Sequence, residues 1–200
     1  MGRCIILRKK EDAKIYFDEI ENSYAKNAKV WRFIYSWLDT LIFAIVAIAI
    51  IFTFLFRFVT VNGKSMTPTL HNGDCLSVSA IRTHYERGDI IVITQPNQLN
   101  EPLIKRVIAV GGDTVDINFA DGTVKVNGER LNESYIAEPT NRMFDVAFPV
   151  TVPEGCVFVM GDNRNDSLDS RSTIVGMIDE RYVLGKAGIR IFPLGDWKIN

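Results

Sequence analysis

The segment Thr40–Phe56, TLIFAIVAIAIIFTFLF, divides the chain into two parts of different composition. It contains no charged residue, and its length of roughly 17 residues is at the short end of the range that crosses a bilayer as a helix. Trp31, Tyr35 and Trp37 precede it and suit the headgroup region. Arg57 follows it and can extend to the far interface. The segment therefore predicts a transmembrane helix, and a helix buried in a protein core is the alternative.

A cleaved secretory signal peptide is a poor match to this segment. About 36 mostly polar residues precede it, more than a secretory signal carries, and no A-x-A-like site follows Phe56. Basic residues are more frequent before the span than after it: Lys26, Lys29 and Arg32 against Arg57 and Lys64. The positive-inside rule then predicts an uncleaved anchor with a cytoplasmic N-terminus. About 140 residues would lie outside the cytoplasm, enough for one domain with a hydrophobic core.

Composition places few limits on the chain's partners or redox state. The 200 residues include 23 Lys or Arg and 24 Asp or Glu, a net charge of −1 that does not favour nucleic acid as a partner. Cys4 would be cytoplasmic, whereas Cys75 and Cys156 would lie outside. Each of the latter two has an apolar, strand-like context that favours a free thiol, and a disulfide between them stays open.

The chain beyond the span is predicted to be mainly antiparallel β. Helical periodicity nearly disappears, and short β-rich runs are separated by Gly, Pro, Asn and Asp. Asn127-Gly128 is a strong signal for a two-residue hairpin turn. Arg87-Gly88-Asp89 predicts a turn before the strand Ile90–Ile93. The predicted strand segments are CLSVSAI, DIIVIT, PLIKRVIAV, TVDIN, TVKVNGERL, CVFVM and VLGKAGIRIF.

These patterns divide the chain into three predicted parts. They are a cytoplasmic tail at 1–36, a transmembrane signal anchor at 37–58 and an extracytoplasmic domain at 59–200. The stretch 113–153 is more polar and richer in loops than its flanks. We expect it to form a small β excursion from the main sheet.

The segment NGKSMTPTL, Asn62–Leu70, follows the span and contains a candidate nucleophile, Ser65. A phosphate-binding loop would need glycine where Phe58 stands. A hydrolase nucleophile elbow would need glycine where Thr67 stands. What remains is a serine in a non-helical turn between a glycine and a proline, and a surface loop without function is the alternative.

A serine nucleophile needs a general base. The chain has 2 histidines, His71 and His84; either could serve, but neither has a local context that favours this role. A buried lysine can serve instead, because desolvation lowers its pKa. Lys105 interrupts the apolar strand LIKRVIAV, although period-two alternation does not decide whether it or Arg106 points inward. Arginine stays protonated and cannot act as a base, so Lys105 is the candidate, with a solvated edge-strand lysine as the alternative.

A third polar segment, GDNRNDSLDSR at 161–171, follows the apolar strand CVFVM. It resembles a calcium loop only superficially, because Arg164 occupies the third ligand position and Ser167 replaces the turn glycine. Its short polar side chains and two arginines can instead form a hydrogen-bonded, ion-paired loop. A solvated turn is the alternative.

Taken together and in this order, the segments resemble the bacterial type I signal peptidases, membrane-bound Ser/Lys proteases that remove signal peptides from exported proteins. The resemblance covers the apolar anchor and most of the domain after it. Its motifs are GKSMTPTL, RGDIIVI, IKRVIAVGGD and GDNRNDSLDSR. It implies a mainly β fold, with an N-terminal transmembrane helix followed by an antiparallel β-sheet catalytic domain. It also implies a monomer in the lipid bilayer that acts on signal-peptide-bearing preproteins, with no metal or cofactor and no nucleic acid.

The resemblance implies a role for each polar residue of these motifs. Ser65 would be the nucleophile and Lys105 the neutral general base, which Ser167 would orient through a hydrogen bond. Met66 would pack beside the nucleophile near the substrate cleft. The remaining polar residues of the third segment would be ion-paired supports: Asp162, Arg164, Asp169 and Arg171.

Two positions depart from the family's pattern. Some members carry, two residues before the nucleophile, a serine whose hydroxyl helps to stabilise the oxyanion. Gly63 stands at that position here, as a glycine does in many relatives from Gram-positive bacteria. The Ser65 backbone N–H would then carry more of that task. The usual Asp-Asn before the orienting serine is here Asn165-Asp166, a swap that we expect the loop to tolerate.

The implied reaction is acyl transfer, with cleavage after small residues, typically alanine, at the last and third-last positions of the signal peptide. Self-cleaving repressors of the DNA-damage response use a related Ser/Lys β-fold. They lack an anchor, however, and carry a DNA-binding domain that this N-terminus does not resemble. A catalytically silent anchored β-module is the other alternative, and the presence of Ser65, Lys105 and Ser167 together argues against it.

Overall fold

The computed structural model describes Tyr24 and residues 27–50, 56–79, 84–94 and 101–195, together with Trp197 and Ile199. The chain divides into two compact units, Met1–Ile51 and Phe52–Asn200. Most of the predicted tail, including Cys4, lies outside the described residues, as do residues 51–55 of the predicted anchor.

The first unit contains a long helix, α1, Asn27–Ile50. Its 24 residues give a length of about 36 Å, enough to cross the roughly 30 Å hydrocarbon core of a bilayer. Among the described residues, it is the one helix long and apolar enough to span a membrane. Its large apolar side chains, such as Leu41, Phe43 and Ile48, are exposed, which does not fit the alternative of a core helix.

The bounds of α1 differ from those of the predicted anchor, 37–58. The helix already begins at Asn27, within the predicted tail. At the other end, Phe56–Thr60 form the first strand, β1, so the last residues of the predicted anchor belong to a sheet. The cause is that a short apolar run has the same composition in a helix and in a buried strand, so periodicity does not separate them.

The described part of the second unit contains eleven strands and a short 3-10 helix, Glu180–Tyr182. The strands are β1 (Phe56–Thr60), β2 (Cys75–Ser79), β3 (Ile90–Ile93), β4 (Leu103–Val110), β5 (Thr114–Asn118), β6 (Thr123–Val126), β7 (Glu129–Arg130), β8 (Val150–Thr151), β9 (Cys156–Met160), β10 (Ile178–Asp179) and β11 (Val183–Phe192). Seven of them form one antiparallel sheet in the order β1-β2-β11-β3-β4-β9-β10. β4 is therefore an interior strand, paired with β3 on one side and with β9 on the other.

The other four strands form a second antiparallel sheet in the order β7-β6-β5-β8, within the predicted excursion at 113–153. Asn127 and Gly128, which join β6 to β7, have φ angles of 55° and 82°. These left-handed angles are those of a two-residue hairpin turn, so the hairpin prediction is confirmed. Val115 and Ile117 of β5 point inward and share a core cluster with Phe158 of the large sheet.

All seven predicted strand segments contain strands, and the mainly β fold class is confirmed. The predictions missed β1, β8 and β10. The last two comprise 2 residues each, too few to show an alternating pattern. Cys75 and Cys156 lie on β2 and β9 as free thiols.

Candidate active site

The interior strand β4 carries two consecutive cations, Lys105 and Arg106, and each is only 3% exposed. Successive side chains of a strand point to opposite faces, and both faces of β4 are covered here. The Lys105 side chain contacts Ser65, and the Arg106 side chain contacts Asp162. Both cations are therefore buried, one on each face of β4. The alternative of a solvated edge-strand lysine is wrong.

The Lys105 amine lies in contact with the candidate nucleophile. Its Nζ is 2.7 Å from Ser65 Oγ and donates to the Ile104 carbonyl oxygen at 3.1 Å. Burial lowers the pKa of Lys105 from the ordinary 10.5 to about 8, although the nearby carboxylates of Asp169 and Asp162 raise it. A large share of the amine is therefore neutral near pH 8, and a neutral amine can accept the hydroxyl proton.

The half-buried Ser65 lies in the turn between β1 and β2. The loop after β9 donates hydrogen bonds to this turn at Ser65 and at the residues around it. The Asn163 N–H donates to the Ser65 carbonyl oxygen at 3.0 Å. The Asn163 side chain donates to the Lys64 carbonyl oxygen at 3.1 Å and to Thr67 Oγ1 at 3.0 Å. Among the described residues, none accepts a hydrogen bond from the Ser65 N–H. That donor is therefore available to the carbonyl oxygen of a substrate.

Gly63 and Met66 flank the nucleophile in different ways. Gly63 has a φ of 100°, in the left-handed region that favours glycine, and its N–H donates to Asn72 Oδ1 at 2.9 Å. A Cβ at this position would meet nothing within 4 Å. Met66 is 1% exposed and packs in a core cluster with Val61 and Leu70. The Gly63 N–H thus already has a hydrogen-bond acceptor. Met66 anchors the turn in the core.

A cleft of 260 Å³ opens beside Ser65 and Lys105. It is lined by residues 59–62, by Ser65 and Met66, and by residues 101–105. β4 pairs with β9 only from Arg106 onward, so within the described residues Leu103–Lys105 have no strand partner on that edge. The cleft therefore has a mixed polar and apolar lining that includes an edge of β4.

The loop at 161–171 is buried, and the alternative of a solvated turn is wrong. Its four charged supports are each at most 1% exposed: Asp162, Arg164, Asp169 and Arg171. Asp169 and Arg171 pair within the loop at 2.8 Å. The other two pair outside it, Asp162 with Arg106 at 2.7 Å and Arg164 with Glu133 at 2.5 Å. All four residues are thus ion-paired. Two of the pairs also join the loop to other segments, β4 and the segment that follows β7.

The expected hydrogen bond between Ser167 and the lysine amine is not formed. Ser167 is 3% exposed, and its Oγ has no hydrogen-bond partner among the described residues. The amine instead contacts Ser65 and the Ile104 carbonyl oxygen. Gly161 shows how close the loop comes to the nucleophile, because a Cβ there would overlap both Ser167 Oγ and the Ser65 carbonyl oxygen.

The swapped pair Asn165-Asp166 fits its surroundings. Asn165 Nδ2 donates to Glu138 Oε2 at 2.9 Å, and Oδ1 accepts from the Arg142 N–H at 3.1 Å. An amide can donate and accept at once, whereas a carboxylate can only accept. Asp166 is exposed, so its charge stays in solvent.

Several residues of this arrangement were not anticipated from the sequence. A buried arginine needs a carboxylate partner, so a pair for Arg106 could have been inferred from the apolar strand around it. Glu133, which pairs with Arg164, and Thr69, whose hydroxyl donates to Asp162 Oδ2 at 2.5 Å, carry no such signal, because their contacts depend on the tertiary structure. His71 and His84 are exposed, and it is a lysine that contacts Ser65. The described residues hold no cluster of His, Cys, Asp and Glu that could bind a metal ion.

The antiparallel β scaffold buries a lysine amine against a serine hydroxyl beside a cleft, an arrangement that suits a hydrolase of the Ser/Lys type. Residues 34–192 match the family model described as signal peptidase, peptidase S26. The chain therefore belongs to the signal peptidase S26 family.

Two sequence relatives agree with this assignment. Signal peptidase I of Bacillus licheniformis is 38% identical over 173 residues, which cover 82% of this chain and 91% of that protein. Probable signal peptidase I-1 of Synechocystis is 37% identical over 177 residues, 84% of this chain and 87% of that protein. A crystal structure of a signal peptidase I from Enterococcus faecalis is 33% identical and covers 52% of this chain and 97% of its own, with a TM-score of 0.44.

Proposed function

We propose that this protein is a type I signal peptidase, a membrane-anchored serine endopeptidase that removes N-terminal signal peptides from exported preproteins. In this proposal, Ser65 is the nucleophile and Lys105 is the general base. The observation that supports it most strongly is the 2.7 Å contact between Lys105 Nζ and Ser65 Oγ, beside an open cleft. A buried amine with a lowered pKa is the form of lysine that can take a proton at moderate pH.

The first half of the reaction forms an acyl-enzyme. Neutral Lys105 Nζ takes the proton of Ser65 Oγ as Oγ attacks the carbonyl carbon of the scissile bond. The negative oxygen of the tetrahedral intermediate accepts a hydrogen bond from the Ser65 N–H. The lysine ammonium returns the proton to the leaving amine, and the C–N bond breaks.

The second half repeats the proton transfer with water. Lys105 accepts a proton from a water molecule as the water oxygen attacks the ester carbonyl of acylated Ser65. The proton then passes to Ser65 Oγ as the ester bond breaks. The signal peptide leaves as a carboxylic acid, and the free amine and hydroxyl are restored.

We assign the role of Ser167 to the protonated state of the lysine. The ammonium has three N–H donors, whereas its two present contacts, Ser65 Oγ and the Ile104 carbonyl oxygen, can accept only two. The Ser167 hydroxyl is buried without a partner and could accept the third. Ser167 would then stabilise Lys105 whenever the amine has taken a proton, in both halves of the reaction.

The cleft beside Ser65 is large enough for a short segment of a substrate. Its volume of 260 Å³ lies just below the range of about 300–1,000 Å³ for pockets that take drug-sized ligands. A short extended segment with small side chains such as alanine fits such a space. The unpaired edge of Leu103–Lys105 could bind the substrate backbone as an added strand. We therefore propose cleavage after A-x-A-like sequences, the specificity that the resemblance to type I signal peptidases implies.

The proposed topology has α1 as the anchor, the N-terminus in the cytoplasm and the catalytic unit on the opposite side. The basic residues before the apolar run favour this orientation, because such residues accumulate on the cytoplasmic side. One chain carries both the nucleophile and the base, so the proposal needs only a monomer in the bilayer. Labelling of an introduced surface cysteine from each side of sealed vesicles would test the orientation.

Cleavage of a preprotein tests the proposed function. The full chain in detergent or lipid is incubated with a preprotein that has an A-x-A site, and the products are resolved by size. Ser65→Ala and Lys105→Ala should each reduce cleavage by at least about 10³-fold. The matched controls Ser134→Ala and Lys125→Ala change exposed residues and should cleave like the wild type. If both Ser65→Ala and Lys105→Ala left cleavage intact, the proposed mechanism would be wrong.

A further inference from the structure

Two side chains of the segment that follows β7 contact the arginines behind the active site. The Tyr135 ring packs against Arg106, with the guanidinium carbon 4.1 Å from the ring centroid, and Arg164 lies 5.8 Å from the same ring. Glu133 Oε1 lies 2.5 Å from Arg164 Nη2. A cation over an aromatic face is held more strongly when both are shielded from water, as here. Neither Tyr135 nor Glu133 takes part in the acyl-transfer steps themselves.

Arg106 connects Tyr135 to the nucleophile segment. It binds Asp162 through two parallel bonds, Nε to Oδ1 at 2.8 Å and Nη2 to Oδ2 at 2.7 Å. Its remaining Nη1 donates to the Gly88 carbonyl oxygen at 2.8 Å. Asp162 Oδ2 also accepts from Thr69 Oγ1 at 2.5 Å, in the turn that carries the nucleophile. The contacts therefore run without a break from Tyr135 to the nucleophile turn.

Arg164 provides a second connection from the same segment. Its side chain is 0% exposed, and Nε donates to the Gly161 carbonyl oxygen at 3.1 Å. Its Nη1 donates to Thr140 Oγ1 at 2.9 Å. Gly161 is the residue packed directly against the Ser65 carbonyl oxygen. Glu133 therefore supports the nucleophile through Arg164 and the backbone of Gly161.

We infer that Tyr135 and Glu133 are positioning residues for the cleavage reaction, because they hold the two arginines that align the base and the nucleophile. This inference rests on the proposed function. Tyr135 keeps Arg106 on Asp162, so that the carboxylate near Lys105 stays neutralised by a fixed cation. Glu133 keeps Arg164 on Gly161, so that the Ser65 carbonyl keeps its packing partner. The segment that follows β7 then supports the catalytic residues in addition to its place in the fold.

A displaced Arg106 would be detected as a shift in the pKa of Lys105. The charged groups that act on the pKa of Lys105 are Asp169, Asp162 and Arg171. The two carboxylates raise this pKa, and each is bound by an arginine, Arg171 and Arg106 respectively. If Arg106 loosens, the charge of Asp162 is less well neutralised and stabilises the protonated lysine more strongly. The acid limb of the pH–rate profile then moves to higher pH.

Tyr135 itself cannot be the source of such a shift. Burial raises the pKa of Tyr135 to about 12, and the charged groups that act on it are Glu133, Arg164, Arg106 and Asp162. The phenol therefore stays protonated between about pH 6 and pH 10, the range in which Lys105 titrates.

The test compares Tyr135→Leu, Tyr135→Phe and Glu133→Gln in the full chain, with the preprotein as substrate. Tyr135→Leu removes the aromatic face, so we expect kcat/KM to fall on the order of 10²-fold, as for a small misplacement of reacting groups, and the acid limb to move to higher pH. Tyr135→Phe keeps the ring and should restore the wild-type limb. Glu133→Gln should lower kcat at least about tenfold with KM unchanged. Tyr182→Leu, the same change at an exposed tyrosine, is the control and should have the wild-type rate and profile.

The possible failures can be told apart. A Tyr135→Leu enzyme with an unshifted acid limb, even one with a lower thermal midpoint, would overturn the inference, because it would show a purely structural role. Should Tyr135→Leu not fold, Glu133→Gln decides, and a wild-type kcat for it would overturn the inference. A wild-type enzyme that does not cleave the preprotein, or a Ser65→Ala variant that does, would instead contradict the proposed function.

Discussion

The backbone N–H of Asn163 donates to the carbonyl oxygen of Ser65 at 3.0 Å, joining the loop after β9 to the turn that carries the nucleophile. Gly161, two residues earlier in the same loop, makes this approach possible. A Cβ at Gly161 would overlap the Ser65 carbonyl oxygen and Ser167 Oγ. The orientation of the nucleophile is therefore set by a segment distant in sequence as well as by its own turn.

A methyl group at Gly161 should displace the nucleophile. Because the backbone of Ser65 cannot move aside like a flexible side chain, we expect Gly161→Ala to lower the free energy of unfolding by about 1–3 kcal/mol. We also expect it to lower kcat/KM at least about tenfold. The control is Gly188→Ala in β11, where the nearest heavy atom, Ser77 O, is 3.8 Å from the added Cβ. Cleavage by Gly161→Ala at the wild-type rate would show that this close packing is not needed.

The two ion pairs Asp169–Arg171 and Asp179–Arg181 have the same spacing but differ in burial. Both side chains of the first are 0% exposed, whereas those of the second are 27% and 78% exposed. Asp169→Asn leaves the Arg171 charge buried without its carboxylate, so we expect a loss of about 3–5 kcal/mol in the free energy of unfolding. Asp179→Asn should leave the thermal midpoint nearly unchanged. Equal effects of the two changes on thermal unfolding would contradict this account.

Burial of Lys105 should reduce stability at neutral pH. In the folded protein its pKa is about 8, against 10.5 for an exposed lysine, so the folded state disfavours the charged amine. That penalty is complete below pH 8 and disappears as the pH rises toward 10.5. Lys105→Met should therefore be inactive but more stable by about 1–3 kcal/mol at pH 7, with an advantage that shrinks through this window. The midpoint of thermal unfolding between pH 7 and pH 10 gives the comparison.

The control for this prediction is Lys125→Met, which changes an exposed lysine of β6. Its effect on stability should not depend on pH in this range. If Lys105→Met were less stable than the wild type at every pH, the amine would have to be stabilised by its contacts more than it is destabilised by burial.

Much of the fold could be predicted from local sequence, for identifiable physical reasons. Strands with one buried face alternate, as in β5, and Asn127-Gly128 suits only a few turn conformations. The end of the anchor could not be located, because Phe56 and Phe58 are as apolar in a strand as in a helix. β8 and β10 depend on partners that are distant in sequence, which local patterns do not contain.

Part of the candidate site could likewise be predicted from local sequence, and part could not. Ser65 and Lys105 could be proposed, since a lysine within an apolar strand is unusual and demands an explanation. Alternation could not show that Arg106 is buried as well, because this requires knowing that β4 is an interior strand. The contacts of Tyr135 and Glu133 join segments that are separate in sequence, so only the tertiary structure brings them into view. The position of Ser167, buried yet without a hydrogen bond to the amine, is likewise a property of the folded loop.

The most direct test of the central claim, that neutral Lys105 is the base for Ser65, is the pH dependence of kcat/KM for preprotein cleavage. The acid limb reports the ionisation of the base in the free enzyme. It should correspond to loss of a single proton and be half-maximal near pH 8, the pKa that burial gives Lys105. Below that pH the rate should fall about tenfold per pH unit. A rate that stays flat from neutral to strongly acid pH would contradict the claim.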